Sequence, residues 1–219
     1  MPKPVSFAIF SDVICPWCFL GKRRLERALD QIGLRETALI RWLPFELNPD
    51  MPPGGMERAV YRGRKFGPDR AAALDREMTA LGREEGVRFA FDRMERTPNT
   101  RAAHCLIAYA SRNGRGGAAV EGLFAAYFER ALDIGCNQAL ADIGEAIGLE
   151  RAGVLAALSD EGLSASVVEL EREAGRLGIA GVPFFIIDDA WSVSGAQPAE
   201  TWVDIMQKMH AVPAEGQVQ

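Results

Sequence analysis

The chain is poor in the residues a metal-bound or disulfide-stapled protein would need. It has four cysteines and two histidines in 219 residues. Cys15 and Cys18 form one C-x-x-C pair, whereas Cys105 and Cys136 stand apart from it and from each other. Without a second pair, or histidines at ligand spacing, no metal site is expected. Long apolar runs are also missing: no stretch approaches the roughly 18 residues that cross a bilayer. The start, MPKPVSFAIFSD, has one lysine and a short apolar run, without the cleavage site of a signal peptide. A soluble cytoplasmic protein with no membrane partner is the expectation. In a reducing compartment, cysteines serve chemistry more often than stapling.

Excess positive charge is absent as well. Lys and Arg number 25 against 30 Asp and Glu, a net charge of −5. With no basic stripe interleaved with aromatics, nucleic acid is excluded as the main partner. Basic residues do cluster in GKRR (21–24) and YRGRK (61–65), but acids follow closely, so both are expected to be solvated helix faces. The 22 glycines and 12 prolines are too few and too scattered for a fibrous or disordered chain.

What is present is a globular sequence, 48% apolar and long enough to bury a full core. VSFAIFSDV (5–13) reads as a short buried strand. From Pro16 the pattern becomes helical, with Pro16 suited to a first helical position and Gly33 to the stop. ALIRWLPFEL (38–47) is a second strand, and NPDMPPGG (48–55) breaks regular structure. Residues 56–177 are rich in Ala, Arg, Glu and Leu. Helical periodicity is plain over 69–86, 100–114 and 120–135, with shorter helices expected at 138–147, 151–158 and 163–177. Asn99 or Thr100 is the expected N-cap of the second. VPFFIIDDAWSVSG (182–195) reads as a hairpin around Asp188-Asp189. PAETWVDIMQKMH (198–210) is a closing helix with Trp202, Ile205, Met206 and Met209 on one stripe, followed by a frayed tail over 211–219.

The order is β-α-β, a helical block, then β-β-α. The strand-bearing ends, 1–55 and 178–219, are too small to stand alone and are expected to build one sheet, with 56–177 inserted as a helical domain.

Cys15 and Cys18 open a helix that follows a strand, where unpaired backbone N–H groups favour a thiolate. Cys15, at the helix tip, is the expected attacking thiol. Cys18, one turn in, is the expected resolving thiol. Pro16 stiffens the turn without removing a needed donor. Trp17 adds no charge but covers apolar surface beside the sulfurs. Asp12 either tunes the thiols or caps the loop. Asn99 is a candidate cleft residue as well as a cap, and His104 either faces the cleft or the helix surface. Cys105 reads as a buried helical thiol, and Cys136 has no assigned role.

SDVICPWCFLGKRRLERAL, NTRAAHCLIAYA and GIAGVPFFIID…WSVSGAQPAETW together resemble the cytoplasmic DsbA-like oxidoreductases of the FrnE type. That family also includes glutathione-dependent 2-hydroxychromene-2-carboxylate isomerases. The resemblance spans nearly the whole chain. It implies an α/β thioredoxin-like fold with a large all-helical insertion, and a cis-proline at Pro183 facing the sulfurs. Val182, just before it, would then offer its backbone to an extended peptide or to glutathione. No bound cofactor is implied, although glutathione is a candidate co-substrate. The partner implied is a thiol- or disulfide-containing protein or peptide, with homodimerisation left open. Thiol:disulfide exchange is the leading expectation. The alternatives are a glutathione-dependent isomerase or transferase and a non-catalytic chaperone-like protein. Pro16-Trp17 supplies no cation to the thiolate, so a reductant or isomerase is favoured over a strong oxidant.

Overall fold

The computed structural model describes residues 4–211. In chain order the elements are β1 (Ser6–Ser11), α1 (Pro16–Gln31), β2 (Leu39–Pro44), β3 (Met56–Glu57), α2 (Arg58–Phe66), α3 (Pro68–Glu84), β4 (Arg96–Thr97), α4 (Arg101–Arg112) and α5 (Gly116–Phe124). A π-helical turn (Ala125–Glu129) continues α5, and α6 (Asn137–Ala146), α7 (Arg151–Leu158), α8 (Glu161–Arg176), β5 (Phe184–Ile187), β6 (Trp191–Ser194) and α9 (Ala199–Ala211) follow.

The two ends of the chain meet in one sheet of order β2-β1-β5-β6. β1 lies parallel to β2 and antiparallel to β5, and β5 pairs antiparallel with β6. β1 is almost wholly buried, as a strand covered on both faces must be. The β5–β6 turn puts Asp188 and Asp189 at positive φ, +50° and +56°, a conformation aspartate tolerates better than most residues. Asp188 Oδ1 accepts hydrogen bonds from Ser6 N (2.9 Å) and Ser6 Oγ (3.1 Å), which pins the hairpin to the start of β1. Trp202 of α9 is fully buried on one sheet face, edge-on to Phe7 and Phe185 with centroids 6.3 and 4.7 Å away. Residues 212–219, most of the expected frayed tail, lie outside the described residues.

α1 begins where Pro16 occupies a position with no intrahelical acceptor for an N–H. It stops at Gly33, φ +69°, with Gly33 N donating to Asp30 O and Leu34 N to Leu29 O, a Schellman closure. Its first turns enter the helical core: Phe19 stacks on Phe124 at 4.9 Å and meets Phe89 edge-on at 6.2 Å. Leu25, Ala28 and Leu29 turn instead to the sheet core with Trp202. The redox loop, α1 and the helices therefore share one apolar cluster.

Two expectations for the basic clusters are corrected. GKRR is not a solvated face. Lys22 is buried, with Nζ 2.7 Å from Glu26 and 2.6 Å from Glu121, Arg23 Nη1 donates to Glu121 at 3.1 Å, and Arg24 Nε donates to Glu85 at 2.6 Å. Glu26 belongs to α1 itself, but Glu121 comes from α5 and Glu85 from the C-cap of α3, so the cluster fastens α1 to the helices. YRGRK is solvated only in part: Arg64 and Lys65 are exposed, whereas Tyr61 and Arg62 are half-buried and turn to the site.

The helix expected over 120–135 also ends early. Its regular part stops at Phe124, widens through Ala125–Glu129, and closes where Ala131 takes φ +56° and Leu132 N donates to Ala126 O at 2.9 Å. The wider turn brings two consecutive aromatics, Tyr127 and Phe128, inward together. The β3–β4 ribbon has no counterpart in the sequence reading, whereas α2 contains the helix face expected at 61–65.

Candidate active site

The strand-to-helix turn is held from its carboxyl side chain outward. Asp12 has no exposed surface; its Oδ2 accepts from Leu47 N at 2.7 Å and its Oδ1 from Ile14 N at 3.4 Å. Its carbonyl accepts from Cys15 N at 3.0 Å. The side chain thus caps the loop, and it lies 3.5 Å through Oδ1 from His104 Nε2. Cys15 becomes the N-cap residue of α1, and Cys18 N returns to Cys15 O at 3.0 Å.

The two sulfurs differ by position. Cys15 is only 4% exposed but borders a cleft of ≈ 390 Å³, so it is reached through the cleft and not from open solvent. Its Sγ lies 3.6 Å from the carbonyl oxygen of Val182. Cys18 is 1% exposed and does not border the cleft. Burial pushes the Cys18 thiol well above its ordinary pKa, and the hydrogen bond and charge of Cys15 add to this. The Ser11 hydroxyl and the Asp12 backbone act in the opposite sense. Both cysteines are free thiols. The Val182–Pro183 bond is cis.

The cleft runs from Cys15, Trp17 and Val182 to the face of α2. Trp17 is 39% exposed and half-covers the near rim. The floor is apolar, with Met94, Phe91 and Phe128 prominent. The far wall carries Arg58, Arg62 and Lys65, at the i, i+4, i+7 spacing of one helix face. Arg58 donates to both oxygens of Asp75 at 2.9 Å, and Arg62 donates to Asp75 Oδ1 at 2.7 Å and to Ala71 O at 2.9 Å. Burial lowers the Arg62 guanidinium pKa, with Arg58 adding to the effect and Asp75 opposing it. Lys65 Nζ donates to Tyr61 OH, and Tyr61 OH to Asn48 Oδ1, both at 2.7 Å. The cluster read as solvated is therefore a wall of the site, because its counter-ion, Asp75, comes from the next helix.

Among the other sequence candidates, Pro16 borders the cleft with Cys15. Asn99 does not border it. Its Nδ2 donates to Met51 O at 2.7 Å and its Oδ1 accepts from Arg101 N at 2.9 Å, so it caps α4 and ties that helix to the 48–51 loop. His104 is buried behind the redox loop, facing Asp12, and not in the cleft. Cys105 is buried, its thiol pushed up to about 11 by burial. Cys136 is exposed at the N-cap of α6. Sequence reasoning missed Arg58, Arg62, Asp75 and Ser11; the spacing of the α2 cations was the available signal for the first two.

The chain matches the DSBA-like thioredoxin domain family over residues 7–207. It is similar to the structure of a probable DsbA oxidoreductase of Streptomyces coelicolor, with 28% identity, TM-score 0.89 and 98% of this chain and 94% of that one covered. A 2-hydroxychromene-2-carboxylate isomerase shares the fold at 15% identity and TM-score 0.72, with 94% and 96% covered. So does the cytosolic disulfide reductase DsbM of Pseudomonas aeruginosa, solved with GSH, at 21% identity and TM-score 0.67, with 94% and 100% covered. No helix among the described residues is long and apolar enough to cross a membrane. Sheet order, the placement of Cys15 at the head of α1 and the family match agree: the chain belongs to the DSBA-like thioredoxin domain family, with the thioredoxin fold and a helical insertion.

Proposed function

We propose that the chain is a thiol:disulfide oxidoreductase. The Cys15 thiolate attacks one sulfur of a substrate disulfide, whose S–S bond breaks. A mixed disulfide forms at Cys15, and the other substrate sulfur leaves as a thiolate. Cys18 then loses its proton and attacks the Cys15 sulfur, closing Cys15–Cys18 and releasing the second substrate thiolate. The substrate gains two electrons and the cysteine pair loses them; the reverse order oxidises a dithiol. One observation carries this reading: Cys15 borders the cleft, and Cys18 lies buried a turn behind it.

Glutathione is the proposed small co-substrate. The cations of α2 suit its carboxylates, and the shared fold with a cytosolic disulfide reductase solved with GSH supports the same choice. A cytoplasmic reductant or isomerase is the proposed setting, since Pro16 and Trp17 bring no cation to the sulfurs. The test is reduction of insulin, or refolding of a protein with scrambled disulfides, by wild type and Cys15→Ser. Equal activity in both would sink the proposal.

The apolar floor of Phe91, Met94 and Phe128 favours a second reading, glutathione-dependent isomerisation of a small aromatic compound. Slow disulfide exchange combined with saturable glutathione binding selects that reading.

A further inference from the structure

Behind the redox loop, away from the cleft, lies a second and much smaller cavity of ≈ 40 Å³. Its lining is apolar except for two side chains, Ser11 from the end of β1 and His104 from α4. Both residues are buried, at 5% and 3% exposure. Ser11 Oγ and His104 Nε2 are each enclosed without a hydrogen-bond partner. A buried hydroxyl or imidazole left unpaired is destabilising, so two such atoms on one cavity call for a shared partner. A water needs roughly 10–15 Å³ and at least two polar neighbours. The cavity supplies both.

Each atom also faces a group that matters to the chemistry. The Ser11 hydroxyl lies near the Cys18 sulfur, short of full hydrogen-bond geometry, and favours its thiolate. His104 Nε2 lies 3.5 Å from Asp12 Oδ1, the carboxylate that caps the same loop. The charged groups around the imidazole come from every side. Asp12 projects from the loop after β1, Glu171 from α8, and Arg101 from the preceding turn of α4. Glu46, from the loop after β2, reaches the same cluster through Arg101 and through its backbone N–H to Glu171 Oε1 at 3.0 Å. Cys105 neighbours His104 on its own helix.

We infer that Ser11, a water in this cavity and His104 form the route by which Cys18 loses its proton when it resolves the mixed disulfide. The inference rests on the resolving role of Cys18 proposed above. In the step, the Cys18 proton passes to the Ser11 oxygen, the Ser11 proton to the water, and a water proton to an unprotonated His104 Nε2. Ser11 and the water are restored. The Cys18 electron pair forms the bond to Cys15, the bond from Cys15 to the substrate sulfur breaks, and that sulfur leaves as a thiolate. The charge gained by His104 is held against Asp12. A proton path is needed because Cys18 has no access to the cleft through which solvent reaches Cys15.

The test uses dithiobis(nitrobenzoate), which releases one coloured thiolate when Cys15 attacks and a second when Cys18 resolves. In a Cys136→Ser background, which removes the exposed thiol that would also react, the parent protein gives two phases and Cys18→Ser gives the first alone. Ser11→Ala and His104→Gln are expected to leave the first phase unchanged and slow the second about 100-fold, the lower range of a lost proton acceptor. The pH profile of the second phase moves to higher pH in both. The double variant is no slower than His104→Gln, because the two residues act in one path. His104→Gln keeps a polar neighbour for Asp12 but cannot take the proton.

A second phase unchanged in both variants overturns the route. So does equal slowing of both phases with unaltered pH profiles, which is the signature of a purely supporting role. A Cys136→Ser parent that releases only one thiolate overturns the resolving role of Cys18, and the route with it.

Discussion

Cys15 Sγ and the carbonyl oxygen of Val182 stand 3.6 Å apart, though 167 residues separate them in sequence. The contact joins the first helix of the chain to the loop that leads into β5, and both line the same cleft. Access to Cys15 is therefore controlled by the cleft and by the charges on its walls.

Those charges predict selectivity in alkylation. Arg58, Arg62 and Lys65 outnumber Asp75 and Glu77 on the lining, so an anionic reagent is enriched there relative to a neutral one. Iodoacetate is expected to modify Cys15 several-fold faster, relative to iodoacetamide, than it does a free thiol, while Cys18 stays unmodified. The advantage falls in high salt and is lost in an Arg62→Gln/Lys65→Gln variant. Peptide mass mapping against time measures it, and equal rates with both reagents count against a cationic wall.

Gly21 sets the fit between α1 and the Val182–Pro183 loop. A β-carbon there would stand 3.0 Å from Pro183 Cγ and 3.4 Å from the Phe185 ring. Gly21→Val is expected to destabilise the protein by about 1–3 kcal/mol through overpacking. Because the loop it displaces carries Val182, the first phase of disulfide exchange slows as well. Urea denaturation and the dithiobis(nitrobenzoate) assay read the two effects separately.

Gly82 poses a contest between helix propensity and packing. Gly82 lies in the last turn of α3, where replacing glycine by alanine is worth at most about 1 kcal/mol in propensity. Here the new carbon would meet the Phe89 ring at 2.6 and 2.7 Å and Val87 O at 2.9 Å. Overpacking of this kind costs about 1–3 kcal/mol, so Gly82→Ala is expected to lower the melting temperature. A rise would mean that Phe89 yields freely.

Glu171 predicts a pH dependence of stability. Burial, then the Glu46 carboxylate, raises its pKa to about 7, with His104 and Arg101 opposing the shift. In the unfolded chain the same group titrates near 4.5. A folded-state pKa above the unfolded one means that the native state holds the proton more tightly. Its contribution is complete below pH 4.5 and is lost as pH rises to about 7. Glu171→Gln, which stays neutral, is therefore expected to gain stability relative to wild type between about pH 5 and about pH 8. Paired thermal melts across that range check the sign.

Much of the fold was legible because its signals are local. The apolar run ending at Ser11, Pro16 at a helix start, Gly33 at a helix stop and the Asp188-Asp189 turn each state their structure within a few residues. The head of the site was legible for the same reason, since Cys15 and Cys18 share one turn. The far wall was not. Arg62 reads as solvent-facing, and Arg58 carries no reading at all, until Asp75, on the following helix, supplies the counter-ion shared by both. Ser11 shares a cavity with His104, a juxtaposition that arises only when a helix from the middle of the chain packs behind the first strand. Asn99 matches its reading as a cap but not as a cleft residue, and His104 faces neither the cleft nor the helix surface, because a helix pattern does not say which side of a loop it will approach.

α2 buries none of its residues. It is anchored by a carboxylate shared between two guanidinium groups and by a ribbon of two residues per strand, whereas Cys15 and Cys18 are embedded in the largest apolar cluster of the molecule. Reactivity and selectivity thus reside on parts of very different mutability. Surface substitutions in α2 change the charge of the cleft wall while leaving the packing around the two sulfurs intact.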